Sequence, residues 1–83
     1  MADQNDPISQ YNLGMFYYLG KYVEKNITKS IHYLTLSANQ NYVNAQFNLG
    51  MIYFRESSAD IDINKAIYYF TLAANQNDIR AQQ

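Results

Sequence analysis

From Pro7 to Leu19 the apolar side chains return every three or four residues, with Ile8, Tyr11, Met15 and Tyr18 along one line and Leu13 and Tyr17 along another. That spacing belongs to an α-helix with two apolar stripes and not to the strict alternation of a half-buried strand. Start and stop signals bound the helix. Asp6 is suited to accept from a free N–H of the first turn, and Pro7 at the first helical position lacks only an N–H that would go unused. Gly20 then ends it. After the loop Lys21–Asn26, with Asn26 near the cap, a second helix is predicted over about Thr28 to Gln40. Asn41 tolerates the left-handed backbone that turns one helix into the next. A third helix is predicted from Val43 to Arg55. A fourth, capped by Asp62, should run from about Ile63 to Gln76, with Asn77 as a second reversal and a further helix opening near Asp78.

The hydrophobic pattern repeats as a whole. Displacing the chain by 36, the distance from Leu13 to Leu49, lays Leu13, Gly14, Met15 and Tyr17 on Leu49, Gly50, Met51 and Tyr53. Ile27, Lys29, Ile31, Tyr33, Thr35 and Leu36 fall on Ile63, Lys65, Ile67, Tyr69, Thr71 and Leu72, and the tetrapeptide from Ala38 to Asn41 returns from Ala74 to Asn77. Ala45 and Gln46 reappear as Ala81 and Gln82. A fixed period of this length marks stacked supersecondary units, here a helix A followed by a helix B. Residues 1–6 are read as an N-terminal extension, 7–42 and 43–78 as two units, and 79–83 as the start of a third.

The residues that carry the hairpin also carry a resemblance. Ala45, Leu49-Gly50 and Tyr53, followed by Asp62, Lys65-Ala66, Tyr69-Phe70 and Ala73-Ala74, resemble the pattern of Sel-one-like (SLR) repeats, relatives of the tetratricopeptide repeats. The first unit resembles it through Leu13-Gly14, Tyr17, Gly20, Val23, Lys29, Tyr33 and Ala38. Departures fall in loops: Tyr22 stands at the family's second loop glycine, Glu56 and Ser58 replace the loop glycines of the second unit, and Asn41 or Asn77 the glycine that ends a unit. The resemblance implies an all-α, right-handed α/α solenoid that serves as a non-catalytic adaptor or scaffold for other proteins.

Packing logic fits that architecture. Gly14 and Gly50 interrupt helix A at a cost of roughly 1 kcal/mol of helix propensity each, which is reasonable where helix B must come close. Leu13, Tyr17, Leu49 and Tyr53 are expected beside them, facing a stripe of Tyr33, Leu34, Ala38, Tyr69, Phe70, Ala73 and Ala74 on helix B. Because each unit buries its apolar face on the next, helix B of the second unit, with Ile67, Phe70 and Ala74, is expected to lie partly against a truncated third helix or a second copy of the chain.

Composition narrows the function. Six basic and seven acidic residues give a formal charge of −1, so no basic field recommends nucleic acid or an anionic membrane as a partner. No cysteine and one histidine exclude disulfides, thiolate chemistry and the usual zinc sites. The N-terminus has no basic-then-apolar signal, and a cytoplasmic location is expected. His32 is the one side chain that ordinarily titrates near neutrality, but its counterpart in the second unit is Tyr68 and no nucleophile is placed to form a triad with it. Glu56, Asp60 and Asp62 lack the calcium-loop pattern and read as a solvated acidic loop. Asn26-Ile27-Thr28 reads as a helix start and not as a glycosylated sequon. No cofactor, metal or catalytic residue is expected.

What exceeds the needs of a two-helix core is the second stripe of helix A. Tyr11, Met15 and Tyr18 recur as Phe47, Met51 and Phe54, an aromatic–methionine–aromatic line in both units. Methionine and aromatic side chains are large, apolar and adaptable, which suits recognition. In the resembled solenoids this face of helix A lines the concave surface, which implies a groove for an extended peptide or a helix. Asn12, Asn44 and Asn48 are the expected hydrogen-bonding groups there, with Arg55 for a carboxylate. An alternative reading is a structural module whose exposed ends make a homo-oligomer.

Overall fold

The computed structural model describes residues 5–56 and 60–82, with backbone alone for 60–62 and 77–82. It contains four helices, α1 (Pro7–Leu19), α2 (Ile27–Asn39), α3 (Val43–Arg55) and α4 (Asp60–Gln82), and no strand among the described residues. Consecutive helices pack pairwise, α1 on α2, α2 on α3 and α3 on α4, so the fold is all-α and built of two helical hairpins.

Local chemistry explains most of the boundaries. The Asp6 carboxylate accepts from the Ser9 N–H at 3.0 Å, and Pro7 opens the first turn. Gly20, at φ 70°, closes α1 in the left-handed conformation. The Asn26 side chain accepts from the Lys29 N–H at 3.0 Å and starts α2 one residue ahead of expectation. Asn41 takes φ 65° and reverses the chain into α3. Tyr22 also lies in the left-handed region, at φ 68°, where the resembled pattern has a glycine. Its ring is 80% exposed and meets Phe16 edge-on, at 5.1 Å between centroids.

Two expectations about the second unit need correction. α4 begins at Asp60, which places Asp62 within the first turn instead of at the cap. It also continues to Gln82 as one helix, so Asn77 makes no reversal and no separate helix begins near Asp78. At Asn41 the chain reverses and α3 docks on α2, whereas α4 carries helical backbone straight through Asn77.

The core sits where the two hairpins meet. Leu34, Ala38, Ala45, Leu49 and Ile52 form its buried cluster, with Ile27, Ile31, Tyr42, Tyr53 and Tyr69 packed around it. Both helix A glycines lie at close contacts. A Cβ on Gly14 would stand 2.7 Å from Leu34 Cγ and 3.2 Å from the Leu34 backbone nitrogen; one on Gly50 would stand 2.7 Å from the ring of Phe70. Leu34 and Phe70 are equivalent in the 36-residue period, so the same contact is built twice. Within the expected helix B stripe Leu34, Ala38 and Ala73 are buried, but Ala74 is exposed. Ala38 lies under α3, and α4 has no helix in that position.

Candidate partner-binding face

The second stripe of helix A behaves differently in the two hairpins. On α1, Tyr11, Met15 and Tyr18 are half-buried and pack against the central cluster. Tyr11 leans on Tyr42 with centroids 5.3 Å apart, and its hydroxyl accepts from the Asn48 side chain at 3.1 Å. On α3, Phe47 is 49% and Phe54 63% exposed, while Leu49 on the same helix is fully buried. Met51 is half-buried between them. Phe47 touches Phe70 edge-on at 5.7 Å. Asn44 and Arg55 are exposed at the two ends of α3, and Asn12 is exposed on α1. Asn48 is half-buried, and its amide nitrogen also donates to the Asn44 carbonyl at 2.8 Å. The bond from Asn48 to Tyr11 ties the helix A of one hairpin to that of the next.

Sequence reasoning overlooked two polar pairs that fix the hairpins at their open ends. Gln40 Nε2 donates to Gln10 Oε1 at 2.9 Å, and Gln76 Nε2 donates to Gln46 Oε1 at 2.7 Å. Gln10 and Gln46 are both buried, and such amides must be satisfied or their burial is costly. The signal was available: glutamines at 10 and 46, and at 40 and 76, are each one period apart. Gln46 also donates to the Ala38 carbonyl at 3.2 Å, across the junction between the hairpins.

At the other end of each hairpin lies a repeated aromatic stack. Tyr17 and Tyr33 lie 5.9 Å apart and nearly parallel, as do Tyr53 and Tyr69 at 6.0 Å. Lys29 and Lys65 place their ammonium groups 5.4 and 5.3 Å from the rings of Tyr17 and Tyr53. His32 meets Tyr33 edge-on at 5.1 Å, as Tyr68 meets Tyr69 at the same distance. His32 is exposed, as is Tyr68, and the two make the same contact with the next ring along the helix. Thr35, Tyr53, Asn64, Lys65, Tyr68 and Tyr69 border a shallow cleft of about 500 Å3. Burial pushes the Tyr69 phenol above its usual range, with the neighbouring Tyr53 and Tyr68 adding to the effect and Thr35 and Lys65 opposing it.

Among the described residues no group of three or more His, Asp or Glu side chains converges on a metal-binding geometry. Asp60 and Asp62, expected in an acidic loop, stand instead in the first turn of α4, and their side chains lie outside those described. No described helix is long and apolar enough to cross a membrane.

The period, the paired glycines and the stacked hairpins are features of one repeat type. The Sel1 repeat model matches twice, at residues 7–42 and 43–78. A sel1-like repeat-containing protein, L18, of Acanthamoeba polyphaga mimivirus is 50% identical over 40 residues, covering 48% of this chain and 7% of that relative's length. Sel1 repeats are non-catalytic modules that generally mediate protein–protein interaction. With two adjacent repeats that account for both hairpins, the chain belongs to the Sel1 repeat family.

Proposed function

We propose that the chain is a protein-interaction module that takes an extended peptide or a helix across the helix A face, from α1 onto α3. The observation that carries this reading is the state of α3. Leu49 and Ile52 are sealed at 0% and 2% exposure, yet Phe47 and Phe54 on the same helix leave about half or more of their surface in water. Exposed large apolar side chains grouped on one element favour a partner that covers them. Tyr11, Met15, Tyr18 and Met51 would form the half-buried floor beside them, with Asn44 and Arg55 available at the rim for backbone or carboxylate groups. Aromatic side chains of this kind are the usual anchors of an interface, because they bury much area with few rotatable bonds.

The test uses a displayed library of random peptides selected on the immobilised chain. Selected peptides should lose at least about 2 kcal/mol of affinity when Phe47 and Phe54 are changed to serine, as truncated hot spots do. The variant's Tm should stay near that of the parent, because both rings are exposed. Peptides that bind the double variant as well as the parent would move the site away from this face.

A further inference from the structure

The two surfaces that meet inside the chain each occur a second time. Where the hairpins join, α3 lays Ala45, Leu49 and Ile52 over Leu34 and Ala38 of α2. One period earlier, the same face of α1 consists of Ser9, Leu13 and Phe16, all half-buried where their counterparts are sealed. One period later than α2, the matching face of α4 carries Ile63 at 36% exposure and Ile67 at 57%, with Ala74 exposed as well. Ile27 and Ile31, the α2 counterparts of those isoleucines, are packed against the central cluster. The chain thus presents a head that matches α3 and a tail that matches α2.

We propose that a second copy of this chain covers the tail, its α1 docking on α4 as α3 docks on α2, so that copies join head to tail. The internal junction shows that these two surfaces fit at this period. The contact is heterologous, so it leaves a free head and a free tail and does not close at two copies. Phe47 and Phe54 take no part in it, and its failure would leave the peptide-binding face untouched.

Sedimentation of the purified chain from micromolar to millimolar concentration tests this directly. The weight-average mass should rise steadily past that of a dimer. A monomer throughout, or a mass that stops at two, overturns the proposal. Ile67→Lys spoils only the tail and Phe16→Lys only the head, so each variant should stay monomeric while keeping its helical circular dichroism. Mixed in equal amounts they should form a dimer that grows no further, through the intact head of one and the intact tail of the other. If Phe16→Lys loses helicity, Phe16→Gln takes its place. Folded variants that remain monomeric when mixed would overturn the head-to-tail geometry.

Discussion

α2 and α4 occupy the same position in their repeats, yet one is the centre of the molecule and the other its edge. α2 lies between α1 and α3, whereas among the described residues α4 packs mainly on α3. Leu34 on α2 is fully buried and Ile31 packs against the cluster; one period on, Phe70 is half-buried and Ile67 is 57% exposed. Near-identical stretches therefore make unequal contributions to stability. In a solenoid the value of an apolar residue depends on whether a neighbouring unit covers it, and the terms that hold the fold together are carried by the junctions.

The largest expected effect tests that inequality directly. Leu34→Ala removes a side chain at 0% exposure and should cost about 2–5 kcal/mol. Ile67→Ala removes a similar volume from a face more than half in water and should cost less than about 1 kcal/mol at concentrations where the chain is monomeric. Thermal or urea unfolding of the two variants measures both. Equal losses would mean that α4 is as well covered as α2 in solution.

The glycine pair should follow, with a smaller difference. Gly14→Ala sets a methyl group 2.7 Å from Leu34 Cγ and 3.2 Å from its backbone nitrogen, in the middle of the molecule where nothing can retreat. Overpacking of this sort costs about 1–3 kcal/mol after the gain in helix propensity is set against it. Gly50→Ala meets first the ring of Phe70, which is half-buried on the outer helix and is able to shift. The second substitution should cost clearly less than the first. A larger loss at Gly50, read from the two unfolding midpoints, would reverse the assignment of centre and edge.

What the sequence revealed follows the same division between local and non-local causes. α1 begins and ends where the pattern places it, because Asp6, Pro7 and Gly20 act on the backbone within a few residues of themselves. The glycine contacts were also legible, since a 36-residue period carries the phase of one helix to its counterpart. The tetrapeptide Ala-Asn-Gln-Asn shows where legibility stops. At 38–41 it ends a helix and its last residue turns left-handed, whereas at 74–77 the same four residues lie inside α4. No local rule separates identical tetrapeptides; the docking of α3 on α2 does. The bond from Asn48 to Tyr11 was illegible for a similar reason, because the two lie 37 residues apart and only the stacking of the hairpins brings them together.

The smallest effect concerns one hydroxyl group for which the second repeat provides the control. Ser30 is fully buried, and its Oγ has no hydrogen-bond partner. Its counterpart Ala66 is buried to 1% exposure with no polar side-chain atom to satisfy. A buried hydroxyl without a partner gives up its water and gains nothing in return, so the methyl group of alanine is the better occupant of this position. Alanine also has the higher helix propensity, and the change leaves only a small void because the two side chains differ by one atom. Ser30→Ala should therefore stabilise the fold by about 1 kcal/mol, raising Tm by about 4–8 °C for a domain of this size. The mirror substitution Ala66→Ser should lower it, by less if the looser packing of α4 lets water reach the new hydroxyl. Opposite signs for the two changes in a thermal melt would establish that both repeats demand an apolar residue here. A loss of stability in Ser30→Ala would show instead that the Ser30 hydroxyl finds a partner in solution, and that the centre of the molecule relies on a polar contact its edge does without.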